Sequence, residues 1–386
     1  MDVAARVHAA AVAGAAAFRQ HVKPVAGSAV FFPAAAAYAM LVLPASVYSM
    51  AGRIEALPGL SFPESHAHEM LFGFALAAVA GNQLSPRSAP RAAGLLGLWA
   101  LARSIFVMAP QSMAAAGANA AFAALLVAEI VPRLLGAAKK WRNRALPLVL
   151  IAICVACAAY PLAPGTALVV GVLLFALLML FMGGRIIAPA VAGQFYRQGA
   201  KLDARIQPRI EAGLIIGMTI AVASALPGNS RLVYLTAAST IVSGLLAAAR
   251  LLRWRTWALR ARPDLLCLAA GYGWVALGLA LYGAALVLGR DQTAAMHVIV
   301  VGGIGTLTLN VMAMTALLKA RRDPARARLP VWGTVFIAIS TLARVLAGIG
   351  AFRYQALLDI AALCWSAAFG MLLALLIRLT VAAHSR

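Results

Sequence analysis

Apolar runs of roughly 18 to 25 residues, separated by short polar connections, recur along almost the whole chain. Each is long enough to cross ~30 Å of hydrocarbon as a helix. The pattern predicts an all-α polytopic membrane protein, a bundle of about 12 transmembrane helices. The spans are expected at approximately 29–50, 67–84, 93–110, 113–135, 145–163, 166–184, 212–226, 232–249, 265–288, 292–318, 330–348 and 356–380. Residues 29–386 are expected to form a single membrane domain. Residues 1–28 are Ala-rich, and their longest uncharged run, Val7 to Phe18, is too short to span. They are expected to form a short cytoplasmic or interfacial segment, because Asp2 and the weakly basic start do not suit a cleaved signal peptide.

Composition agrees with the pattern: 63% of the 386 residues are hydrophobic and 11% are charged. The net charge of +22 would suit a nucleic-acid partner only if a soluble basic face carried it, and the chain offers none. The cations instead collect in alternate loops. Arg87 and Arg91 follow the second span, Arg133, Lys139, Lys140, Arg142 and Arg144 the fourth, and Arg185, Arg197, Lys201, Arg205 and Arg209 the sixth. Similar clusters follow the eighth and tenth, whereas the intervening loops hold only Arg53, Arg231, Arg290 and Arg353. Cytoplasmic loops gather Lys and Arg, so both termini are expected in the cytoplasm. The longest polar connection, Arg185 to Glu211, divides the spans six and six, as a two-repeat transporter would, without clear self-similarity between the halves.

Ionisable groups at membrane depth are costly and usually mark a function. His66, His68 and Glu69 head the second span, in HAHEMLFGFALAAVAG, and His297 lies about five residues into the tenth. Both spans run from outside to inside under the expected topology, which puts all three histidines in the outer leaflet. On a helix His66 and His68 point about 200° apart, so two separate roles fit better than a shared ion. His66 is expected on the face of Met70, Gly73, Ala77 and Gly81, and His68 on that of Phe72 and Ala75. His297 would add an imidazole from a second helix, as bis-His haem or copper coordination requires. Glu69 is placed to orient a histidine through its ring N–H. Backbone-bonded interfacial histidines are the plain alternative.

Arg103 and Arg344 also fall within spans, and guanidinium groups pair well with haem propionates. Ion pairs with Glu69 or Asp359, or snorkelling to the interface, would account for them equally. Cys154 and Cys157 form a C-x-x-C on one helix face, better suited to small apolar packing than to Cu(I), and no disulfide is expected. Glu129 and Asp264 have basic neighbours near the inner surface.

Three segments, HAHEMLFGFALAAVAG (66–81), LFMGGRIIAPA (180–190) and HVIVVGGIGTLTLNVMAM (297–314), resemble signature segments of the NnrS family, and WALARS (99–104) and KKWRNRALP (139–147) fit the pattern between them. The resemblance implies a multi-pass protein of the bacterial inner membrane containing haem and copper, tied to nitric oxide response, nitrosative stress and denitrification. It makes His66, His68 and His297 candidate metal ligands, with Glu69 and Arg185 as motif companions. The chain departs from the family after the second span, where Asn82, Gln83, Leu84, Ser85, Pro86 and Arg87 follow, and in the tenth segment at Met314 and Lys319. Both departures lie at cytoplasmic ends.

The expected function is therefore a haem protein, with copper as a further candidate, that binds nitric oxide or another small diatomic ligand from the bilayer. A redox cycle would add an electron donor as partner. The alternative is a secondary transporter using Arg103, Arg344, Glu69 and Asp359, although the loop after the second span lacks the Gly-x-x-x-Asp-Arg pattern of the largest twelve-helix transporter family. A metal-free assembly factor is a third reading.

Overall fold

The computed structural model describes residues 24–226, 232–350 and 353–384, so most of the N-terminal segment, with His8 and His21, lies outside the described residues. The described chain is helical: α1 (Gly27–Met50), α2 (63–83), α3 (Ala89–Met108), α4 (Met113–Ala137), α5 (Trp141–Ala159), α6 (Pro164–Arg197), α7 (Pro208–Ser224), α8 (Leu232–Arg253), α9 (Pro263–Val287), α10 (Thr293–Lys319), α11 (Arg328–Gly348) and α12 (Tyr354–His384). Among the described residues, eleven helices are long and apolar enough to cross a membrane. α2 has a similar length, but its histidines and glutamates lower its hydropathy. The chain is thus a polytopic membrane bundle.

Local chemistry sets many of the boundaries. Proline stands in the first turn of α2, α3, α6, α7 and α9, where its missing N–H costs nothing and its fixed φ suits the helix. Ser112 caps α4 by accepting from the Ala115 N–H. Gly199, just past α6, takes φ +73°, a left-handed conformation that ends a helix without Cβ strain.

One continuous apolar core draws side chains from every helix. At its centre α2, α6 and α10 pack on one another. Residues 71–81 of α2 are buried throughout, and α6 and α10 are the most enclosed of the other helices. The innermost helices are therefore the second, sixth and tenth, a recurrence every four helices.

The polar connection expected from Arg185 to Glu211 is itself shorter than that. α6 continues through Arg185 to Arg197, 34 residues or about 51 Å at helical rise, well beyond the ~30 Å of hydrocarbon. Its polar tail keeps a helical apolar face, since Ile187, Ala188, Val191 and Phe195 are all buried. Arg185 thus lies within the helix, its guanidinium 4.3 Å from the Phe181 ring centroid and donating to Asn143 Oδ1.

The Arg-rich and Lys-rich loops gather at one end of the bundle. There Arg87 pairs with Glu129, Arg142 with Glu211 at 3.0 Å and Arg262 with Asp264 at 2.6 Å, while Val25 and Arg87 form a β-bridge. At the opposite end Arg53 binds both oxygens of Asp359 at 2.8 Å.

α2 and α10 share an unusual backbone. Glu69–Ala75 and Val298–Gly305 are π-helical, and each begins immediately after a histidine, His68 or His297. A π turn inserts extra backbone and rotates the downstream residues relative to an ideal α-helix.

Candidate functional site

The histidines of α2 and α10 lie at the end of the bundle opposite the basic loops, and they divide into two settings. The first surrounds Glu69, which has no solvent exposure. Its Oε1 accepts from Arg103 Nη1 at 2.5 Å and from His68 Nδ1 at 2.9 Å, and its Oε2 accepts from the Tyr38 hydroxyl. Arg103 also donates through Nη2 to Asn119 Oδ1, and Asn119 is anchored by its Nδ2 on Ala115 O at 2.8 Å. Side chains of α1, α2 and α3 thereby meet on one carboxylate, and α4 joins them through Arg103. Gly73 allows the approach: a Cβ there would lie 3.0 Å from Tyr38 and 3.1 Å from Arg103 Nη1, and its carbonyl accepts from Trp99 Nε1 at 3.0 Å.

His68 is enclosed by aromatic rings. Phe106 stacks on the imidazole with centroids 3.9 Å apart and 9° between planes, Tyr160 lies 4.4 Å away and Phe72 meets it edge-on at 5.3 Å. The contact with Phe72, four residues along the same helix, agrees with the face expected from the sequence. Burial raises the Tyr160 pKa, opposed by a hydrogen bond with Ser65.

The second setting holds His66, His297 and Arg344. His66 Nδ1 lies 2.8 Å from Ser46 Oγ, and Ser46 Oγ lies 3.1 Å from Leu60 O, to which it donates. A hydroxyl has one proton, so His66 Nδ1 must be the donor to Ser46. His297 Nδ1 lies 2.7 Å from Thr293 O, a carbonyl that can only accept. His68 Nδ1, facing a carboxylate, is fixed in the same way. All three rings therefore carry the proton on Nδ1 and present Nε2 as a lone pair, the arrangement that orients a ligating imidazole.

His297 lies within electrostatic reach of His66, and Arg344 within reach of both. Arg344 makes no ion pair among the described residues. Arg103, by contrast, is committed to Glu69 and Asn119, the ion-pair alternative open from sequence. Asp359 is committed to Arg53.

The three histidines do not form a single cluster, and among the described residues no group of three or more His, Cys, Asp or Glu converges on one point. The small-residue face expected for His66 packs along α1, where His66 meets Ser46, Gly73 meets Tyr38 and Gly81 meets Phe31 and Phe32. Gly73 also lies against Arg103 of α3, so the strip admits neighbouring helices closely. Sequence reading missed Tyr38, Ser46 and Asn119. Each is a lone polar side chain inside an apolar span, a signal that could have singled them out. Cys154 and Cys157 are free and packed in the core, and the side chain of His384 lies outside the described residues.

Near the basic end, α1, α2, α6 and α10 line a half-open pocket of about 50 Å³, with Asn82, Gln83, Met179, Met182, Thr308 and Met312 in its lining. It lies where the sequence departs from the family pattern after the second span, away from the histidines.

The family model described as NnrS protein matches residues 26–383, nearly the whole chain. No curated protein matches it.

Proposed function

Since the chain belongs to the NnrS family, we propose that it is a haem protein of the bacterial inner membrane, with copper as a second candidate metal, acting in nitric oxide response, nitrosative-stress tolerance or denitrification. The observation that carries this reading is that His66 and His297, from separate helices, and Arg344 lie within electrostatic reach of one another. The residues fit such a group. Two imidazoles have Nδ1 engaged and Nε2 free, and the Arg344 guanidinium near them makes no ion pair among the described residues, Asp291 acting on it only at longer range.

In this proposal His66 and His297 would hold the metal through Nε2, and Arg344 would supply the positive charge that a haem's carboxylates need. When bound, haem supplies an iron centre able to take a diatomic gas that partitions into lipid. Ser46 and the Thr293 carbonyl hold the two rings in the ligating tautomer, and the apolar shell keeps water away and tunes the potential. His68 serves from a distance: Glu69 and the stacked Phe106 fix it in the wall of α2, and Arg103 fixes Glu69.

The transporter alternative finds less support, because Glu69, Arg103 and Asp359 are closed in pairs. Haem and copper per polypeptide, measured by acid extraction and elemental analysis of protein from haem-replete cells, test the proposal. About one haem or copper in the wild type, with loss in His66→Ala and His297→Ala, is expected. Metal-free wild-type protein would rule it out.

A further inference from the structure

The basic end of the bundle contains buried polar groups that the histidine site does not use. Arg250, near the end of α8, is 5% exposed, and Trp254 and Tyr272 are fully buried. The guanidinium lies 5.4 Å from the Trp254 ring centroid, and the Trp254 and Tyr272 rings meet edge-on at 5.0 Å. α6 closes the other side with two glycines. A Cβ on Gly183 would strike the Tyr272 ring, and one on Gly184 would strike the Arg250 guanidinium. The glycine pair of the LFMGGRIIAPA segment is thus what lets α8 and α9 bring these groups against α6.

Hydrogen bonding there is incomplete. Arg250 Nη1 donates to Leu180 O at 3.2 Å. Arg250 Nε, Trp254 Nε1 and the Tyr272 hydroxyl are buried with no hydrogen-bond partner. The Tyr272 oxygen lies near the guanidinium but does not complete a bond with it. No carboxylate pairs with Arg250 among the described residues, and Glu211, the acidic group that acts on Tyr272, is itself bound to Arg142 at 3.0 Å. Buried donors are almost always satisfied, and a buried cation requires a counter-charge. A water molecule would satisfy an N–H but would leave the charge unbalanced.

We propose that α6, α8 and α9 enclose a binding site for a small monovalent inorganic anion of halide size, held by Arg250 Nε, Trp254 Nε1 and the Tyr272 hydroxyl. The three donors come from two helices and the turn after α8, and together they balance one negative charge. Complete burial excludes a lipid phosphate and limits the guest to a few atoms.

The test uses the full chain in mild detergent, with its melting temperature titrated by sodium bromide against sodium gluconate at constant ionic strength. Bromide is expected to raise the wild-type midpoint saturably. Tyr272→Phe, which keeps the ring packing, should weaken the apparent bromide affinity about tenfold or more, as expected for one lost hydrogen bond to a charge. Arg250→Met should abolish the response, and anomalous scattering from a bromide-soaked crystal should place the ion between Arg250, Trp254 and Tyr272. Identical curves in the two salts, a bromide effect unchanged in Tyr272→Phe, or bromide bound elsewhere would overturn the proposal.

Discussion

Arg103 Nη1 and Glu69 Oε1 lie 2.5 Å apart with 4% and 0% side-chain exposure, joining α3 to the start of the π segment in α2. Two charges at that depth are tolerable only as a paired unit. Tyr38, His68 and Asn119 extend it, leaving Arg103 Nε as its one buried donor without a partner.

Removing one partner leaves the other charge buried and unpaired, so removing both should cost less than the two separate losses added. Glu69→Gln or Arg103→Met alone is expected to destabilise by about 3–5 kcal/mol, and the double variant by less than the sum. Thermal midpoints of the four proteins in one detergent give the coupling. Additive losses would mean that the groups do not depend on one another.

The stacked imidazole makes a narrower prediction. In His68→Phe the ring can still lie on Phe106, but the bond to Glu69 is lost. A cost of about 1–3 kcal/mol is expected, with metal content unchanged. Loss of metal in this variant would place His68 among the ligands.

Ser46→Ala removes the acceptor that fixes the His66 tautomer. Metal affinity is expected to fall about 10–100-fold with little change in the melting midpoint of the metal-free protein. Equilibrium competition with a chelator separates the two quantities.

Close packing beside His297 gives a steric prediction. A Cβ on Gly278 of α9 would lie 2.6 Å from Ile299 Cγ1 and 2.8 Å from its backbone nitrogen. Backbone cannot move aside as a flexible side chain can, so Gly278→Ala should cost about 1–3 kcal/mol and displace His297, two residues from Ile299. A lower midpoint together with reduced metal content is the expected result.

Helix number and the ionisable residues were legible from the spacing of apolar runs and from the rarity of charge within them. Partner choice was not. Arg103 suits Glu69 or a propionate equally well in one dimension, and only the packing of α3 on α2 selects Glu69. The small-residue face of α2 is legible in one dimension, but that α1 covers it, through Ser46, Tyr38 and Phe31, depends on lateral packing. The extent of α6 was underestimated because polar residues after Met182 looked like a loop, although Ile187, Val191 and Phe195 continue a helical face. The central position of α2, α6 and α10 depends on lateral order, which linear sequence does not encode.

The central claim is that His66 and His297 together hold a metal while His68 stands apart. The visible spectrum of the purified protein, oxidised, reduced and then exposed to nitric oxide, tests it most directly. The account predicts a Soret band that shifts with nitric oxide, is lost or strongly weakened in His66→Ala and His297→Ala, and persists in His68→Phe. A spectrum unchanged by His66→Ala and His297→Ala, or a colourless wild-type protein from haem-replete cells with no bound copper, would contradict it.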